Sequence, residues 1–304
     1  LADGSARKIR DDLFDAAFLG RVEQLALLSR RIATSGQRAM RRSRKIGSGI
    51  EFADHREYAP GDDPRAIDWL LYARTERLQL RLYEEEEDLS VYFLLDRSNS
   101  MTMAADGQHS LFDRSLQVTA ALSYISLSNL DRVSVVPFGE GIEAPMRPLR
   151  GRSQFFRILR VLSDVKQGGR TEIHRSIEAF ARHQPRRGLV VLLSDFYDPA
   201  GLGDSLRYLA FRGYEPMVLH LVDRTLLDAP VLGDLALVDC ETGDVRELCL
   251  TPALMENYRK AFDGFTGEIE RAARKAGARC LQVDLALPFD EVVMKVFRAG
   301  GFLA

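Results

Sequence analysis

The order of apolar runs and helical patterns predicts an α/β protein. Its expected form is a doubly wound, mostly parallel sheet with helices on both faces, preceded by an N-terminal helix and β extension. Three observations carry this. Val91-Tyr92-Phe93-Leu94-Leu95 and Leu189-Val190-Val191-Leu192-Leu193 are apolar throughout, as in strands covered on both faces. Apolar residues at spacings of three and four follow each run. The chain has 304 residues, 46% hydrophobic and 28% charged, which suits one large sheet domain with an extension and excludes wholesale disorder.

The character of the chain changes near residue 89, so residues 1–88 read as an N-terminal segment packed on a core of residues 89–304. Residues 11–34 read as a helix with Val22, Leu25, Ser29 and Ile32 on one face. A basic block follows (Arg38, Arg41, Arg42, Arg44, Lys45), then a break at Gly47-Ser48-Gly49. This block reads as a solvated or protein-docking face, since it lacks interleaved aromatics. Within the acidic stretch from Glu51 to Asp68, Asp63 reads as a helix cap with Pro64 at the first helical position. Trp69, the only tryptophan, is expected to be a buried anchor. Arg56 and Arg74 are expected to pair with Asp62, Asp63 or Asp68. Residues 78–83 alternate Leu78, Leu80 and Leu82 with Gln79, Arg81 and Tyr83, a half-buried strand ending in a solvated acidic run, residues 84–88.

In the second part a strand at residues 91–95 precedes a helix carrying Leu111, Val118, Leu122 and Ile125. Residues 133–138 form the next strand, with residues 142–149 beside it. Helices follow on Phe155, Leu159 and Leu162, and on Ile173, Ile177 and Phe180. After the strand at 189–193, a helix with Leu202, Leu206 and Leu209 stops at Gly213. A strand at 217–222 leads to a hairpin around Thr242-Gly243-Asp244. A long helix runs from Leu254 to Ala276, a last strand covers 280–283, and Asp290 caps a final helix through Val293, Val296 and Phe297.

Composition excludes several functions. Lys plus Arg total 42 against 44 Asp plus Glu, so a globally basic nucleic-acid binder is not expected. No stretch reaches the roughly 20 apolar residues a transmembrane helix needs, and no signal peptide is visible after Leu1-Ala2-Asp3-Gly4. Cys240, Cys249 and Cys280 lack metal-ligand spacing and read as buried or idle thiols in a reducing, cytoplasmic setting. The five histidines are scattered without zinc spacing. There is no P-loop, nucleophile elbow or dinucleotide fingerprint.

In open α/β sheets ligands bind where strands end, near the point at which strand order reverses. Both buried runs end in a carboxylate: the first in Asp96-Arg97-Ser98-Asn99-Ser100, the second in Ser194-Asp195. Between them, Gly168-Gly169-Arg170-Thr171 opens a helix. Asp96, Ser98, Ser100, Thr171 and Asp195 are hard oxygen donors, suited to Mg²⁺ or another divalent cation. Few of them are charged, so the cation is left able to accept a carboxylate from another molecule.

Asp96-x-Ser98-x-Ser100, then Thr171, then Asp195 resembles the metal-ion-dependent adhesion site of von Willebrand factor A-like domains. The N-terminal half narrows the likeness. Gly47-Ser48-Gly49-Ile50-Glu51-Phe52, Arg56-Glu57-Tyr58, Pro60-Gly61-Asp62-Asp63-Pro64-Arg65, Ile67-Asp68-Trp69 and Ala73-Arg74 are similar to the bacterial domain of unknown function 58 family. The resemblance runs from about residue 20 to the end. It implies a von Willebrand A-like fold, the five metal ligands above, and genes beside those of MoxR-type AAA+ ATPases. The expected function is thus a non-enzymatic, Mg-dependent interaction module, an adaptor for such an ATPase or for another protein offering Asp or Glu to the metal. The alternative is a metal-dependent phosphoester hydrolase using Asp96. Ser98 stands where such an enzyme wants a second carboxylate.

Overall fold

The computed structural model describes residues 13–36, 51–84, 89–103, 109–142, 146–184, 186–197, 201–228, 233–240 and 243–299. The basic block Arg38 to Lys45, the break at residues 47–49 and the acidic run at 85–88 lie outside the described residues. The chain forms two compact units. One comprises Leu1–Ser29 and Leu89–Phe302; the other comprises Arg30–Asp88 and Leu303–Ala304.

In the small unit, β1 (Glu51–Glu57) pairs antiparallel with β2 (Gln79–Glu84), with an irregularity between Phe52 and Asp54. The acidic sequence of β1 hid this strand, whose partner β2 was legible. Between them Asp63 caps a short 3₁₀ turn beginning at Pro64 and accepts from the Arg65 amide, as expected. Asp68 caps α2 (Trp69–Thr75), accepting from the Leu70 and Leu71 amides. The same carboxylate accepts from Arg81 at 2.8 Å and contacts His55 at 3.0 Å. Arg81 first, then His55 and the Leu71 amide, hold it well below the usual carboxylate range. The stability this adds is present at neutral pH and is lost as acid protonates the group. Arg56 pairs with Asp62 at 2.7 Å, as anticipated.

Trp69 corrects an expectation. It is 59% exposed, its ring edge-on to Tyr72. The inward positions beside it belong to Ile67, bridged to Leu80, and to the capping Asp68. The first turn of α2 therefore directs the indole outward. Trp69→Ala should change stability by no more than about 0.5 kcal/mol, the range of surface substitutions. Urea denaturation measures it, and a loss of several kcal/mol would restore the buried anchor.

Helix α1 (Ala16–Gly36) belongs to the large unit as far as Ser29. Val22, Leu25 and Ser29 turn inward as their spacing predicts; the Ile32 side chain lies outside the described residues. Phe18 packs on Phe289 with centroids 5.3 Å apart, and Glu23 accepts from Arg152 at 2.6 Å.

The central sheet contains β3 (Ser90–Asp96), β4 (Arg132–Phe138), β5 (Leu149–Arg150), β6 (Leu189–Ser194), β7 (Glu215–Val222) and β10 (Arg279–Asp284). Its order is β10-β7-β6-β3-β4-β5. All neighbours are parallel except β5, which runs antiparallel on β4 at the edge. The chain builds outward from β3 on one side, then returns to build outward from β6 on the other. The reversal therefore falls between β3 and β6. This is the mostly parallel, doubly wound sheet that the pattern of strands and helices predicted, in the von Willebrand factor A-like arrangement that the family resemblance implied.

Every residue of β3 and β6 is buried, which explains their unbroken apolar runs. Tyr92, Leu94, Val190, Leu192 and Val218 share a core with α5 (Ile173–His183), α6 (Leu202–Phe211) and α7 (Pro252–Lys275). Val91, Phe93 and Leu95 alternate with them onto the other face. There α3 (Leu111–Ser128) packs on β3 and β4, flanked by α4 (Phe155–Asp164) and α8 (Phe289–Ala299). The expected apolar face of α3 is only part of its surface. Leu111–Leu127 is buried almost throughout, serines included, because α4 and α8 cover its flanks. A Ser110–Asp113 capping box starts it.

Three further details differ from expectation. The final helix begins at Phe289, so Asp290 lies within its first turn, where its charge suits the positive end of the helix dipole. Thr251, not singled out in the sequence, caps α7. Cys240 and Cys249 are exposed and Cys280 is half-buried, so none is a fully buried thiol. The first two sit on the antiparallel hairpin of β8 (Gly233–Val238) and β9 (Val245–Leu250), whose two strands stand outside the sheet.

Candidate metal centre

The five expected ligands come from three loops at the carboxyl ends of β3 and β6 and before α5. Asp96 ends β3 and is buried, 1% exposed as a residue. One oxygen, Oδ1, accepts from the Ser98 amide at 2.9 Å and from the Thr171 hydroxyl at 2.7 Å. The other, Oδ2, accepts from the Ser194 hydroxyl at 2.6 Å. Burial pushes its carboxyl above the usual range, and the bonds from Ser194, Ser98 and Thr171 oppose the rise. A buried carboxylate held only by neutral donors is an energetic invitation to a cation.

Glycine geometry brings Thr171 there. Gly168 and Gly169 both have positive φ, which costs glycine little. The Gly168 amide donates to the Arg97 carbonyl at 2.8 Å, and the Asn99 amide to the Gly169 carbonyl at 3.1 Å. These two bonds stitch the β3 loop to the segment before α5. The Arg97 guanidinium reaches back to the Gly168 carbonyl, so it braces this junction.

The donor set fits a hard divalent cation. A hydroxyl that gives its one proton to Asp96 turns its lone pairs elsewhere, and Thr171 is in that state. Ser98 and Ser100 are buried, with their hydroxyl oxygens 2.9 Å apart. Ser100, Thr171 and Asp195 line one cleft of about 330 Å³. The structure thus brings together all five predicted residues: Asp96 links directly to Ser98 and Thr171, Ser98 touches Ser100, and Asp195 shares the cleft. Among the described residues no cluster of three or more His, Cys, Asp or Glu side chains is placed to hold a metal. A cation here would rest on the mixed carboxylate and hydroxyl set.

Sequence reasoning missed three supporting residues. Ser194 donates to Asp96 and accepts from the Phe196 amide at 2.9 Å, joining the β3 and β6 loops. Only its place beside Asp195 hinted at this. Phe196 adopts a left-handed conformation, φ 57°, although it is not glycine. That backbone is strained, and full burial of its ring holds it in place. His220 on β7 packs edge-on against Phe196 and Phe265 and hydrogen-bonds the Asp195 backbone. Burial pushes it down to about 4, so it is a neutral brace for that loop. Ser194→Ala should cost about 1–3 kcal/mol, because it removes the donor to Asp96 Oδ2 and the acceptor of the buried Phe196 amide. Chemical denaturation measures it, and an unchanged midpoint would remove Ser194 from the network.

A doubly wound, mostly parallel sheet with an antiparallel edge and helices on both faces is a von Willebrand factor A-like fold. Residues 54–266 match the family described as "Protein of unknown function DUF58", and the chain belongs to that family. Relatives include Mb1516 of Mycobacterium bovis and Rv1480 of Mycobacterium tuberculosis. Each is 29% identical over 241 residues, covering 78% of this chain and 75% of the relative. Similar solved structures include BatB from Bacteroides thetaiotaomicron, 17% identical with TM-score 0.45 over 71% of this chain and 98% of that one. Another is proximal thread matrix protein 1 from the mussel byssus, solved with a zinc-occupied metal-ion-dependent adhesion site. It is 13% identical with TM-score 0.41 over 71% of this chain and 48% of that one.

Proposed function

We propose that the chain is a non-enzymatic, Mg²⁺-dependent interaction module that captures an acidic side chain of a partner protein. One observation carries the reading. Asp96, buried and hydrogen-bonded across 75 residues to Thr171, orients a set of hydroxyl donors beside the cleft containing Asp195. Asp96 and Asp195 supply the negative charge, and Ser98, Ser100 and Thr171 supply neutral oxygens. A bound Mg²⁺ would supply a Lewis-acidic centre with a coordination position open to a partner carboxylate. The family resemblance makes a MoxR-type AAA+ ATPase the favoured partner, with the chain acting as its adaptor in assembly or remodelling.

The hydrolase alternative is less well supported. Both oxygens of Asp96 are engaged by hydroxyl or amide donors, a poor state for a nucleophile. The division at residue 88, between a family-specific segment and the A-like domain, is part of the proposal, as is a cytoplasmic setting. No helix among the described residues is long and apolar enough to cross a membrane.

Affinity capture with a MoxR-type ATPase, with and without chelator, tests the reading. Binding should fall on chelation and in Ser98→Ala or Asp195→Ala. One partner Asp or Glu should couple to Asp195 in a double-mutant cycle. Binding that survives chelation undiminished would move docking to another face, with the basic block at Arg38 to Lys45 the next candidate.

A further inference from the structure

Part of the lining of the candidate metal cleft comes from the β8–β9 hairpin. Val238, at the end of β8, and the following Asp239 line the same cleft as Thr171 and Asp195, as do Met103 and Tyr197. The hairpin tip is closed by the Asp239 amide on the Asp244 carbonyl and the Gly243 amide on the Asp239 carbonyl. Val238 pairs directly with Val245 across the ribbon, so their side chains stand together on one face. They are 64% and 61% exposed, so the core gains little from them. Tyr197, 47% exposed, is stacked on Phe265 with centroids 5.5 Å apart and planes 13° apart. It is therefore an anchored surface rather than a free rotor.

We infer that the hairpin and Tyr197 form an apolar collar that selects a partner segment in which the metal-binding Asp or Glu has a hydrophobic side chain within two residues of it. The inference rests on the metal reading above and specifies its ligand class. A cleft of about 330 Å³ is at the small end of ligand sites, with room for a carboxylate and one neighbouring side chain. Exposed valines and an anchored tyrosine beside a polar cation site offer that neighbour burial. Asp239 in the same wall disfavours a second acid there, which makes the preference negative as well as positive.

The probe is a library of short peptides with a fixed central Glu and randomised flanks, selected on the full chain in Mg²⁺. Calorimetric Mg²⁺ titration of the same preparations runs alongside. Aliphatic or aromatic residues within two positions of Glu should be enriched on the order of tenfold, the ratio that burial of one apolar side chain supports, and acids there should be depleted. Val238→Ser with Val245→Ser should bind Mg²⁺ like the parent and lose the apolar enrichment. Selection of Glu peptides with no apolar preference, or a preference unchanged in the double variant, overturns the collar while leaving the metal reading intact. A parent that takes up no Mg²⁺ in the calorimeter overturns the metal reading and this inference with it.

Discussion

Replacing Asp96 by alanine is expected to abolish specific Mg²⁺ binding while the sheet stays folded. The carboxylate organises the site from beneath, taking the Thr171 and Ser194 hydroxyls and the Ser98 amide. Its removal takes away charge and also frees Thr171 to rotate its lone pairs from the cleft. The fold should tolerate the change because the residue ends a strand and its side chain meets loops rather than the apolar layers. Three lost partners cost on the order of 1–3 kcal/mol per buried group left unsatisfied. Against this, the variant no longer buries a charge in a site whose burial already pushes its carboxyl upward. Asp96→Asn, which retains an acceptor, separates the effects: it should fold like the parent and still fail to bind Mg²⁺. Calorimetry showing equal Mg²⁺ binding by parent and variants would end the assignment.

Truncating Phe180 to alanine is expected to have the largest effect on stability, about 3–5 kcal/mol. The ring is fully buried on α5, edge-on to Tyr92 of β3 with centroids 5.1 Å apart, and 5.5 Å from Tyr214. It pins to the sheet the helix whose leading segment carries Thr171. A cavity there strips dispersion contacts from two aromatic rings, and the neighbouring strands cannot collapse into it without breaking their ladders. The loss should appear in urea denaturation of the full chain. A cost below about 1 kcal/mol would mean that α5 is held mainly by other contacts.

The apolar runs at residues 91–95 and 189–193 and the helical spacings between strands were enough to predict the architecture. Burial on both faces leaves its signature in local composition. The site was legible for a related reason. Asp96, Ser98 and Ser100 lie together in sequence, and strand ends in an open α/β sheet are where ligands gather. Strand β1 escaped notice because an exposed strand of a two-stranded ribbon need not be apolar, and Glu51, Asp54 and Glu57 gave it the look of a loop. Trp69 misled because size and rarity say nothing about direction. The turn of α2 set by the Asp68 cap points the indole outward.

By itself the sequence determined which segments become strands and helices, how they alternate, and which oxygen donors stand at strand ends. These are local properties of pattern and chemistry. Only the tertiary structure decided that Ser194 bridges Asp96 to the β6 loop, that a strained Phe196 and a buried His220 hold Asp195, and that a hairpin beginning 38 residues after Asp195 supplies a wall of the same cleft. Those relations join residues far apart in the chain. They depend on the register of parallel strands and on side-chain direction, and no local pattern encodes either.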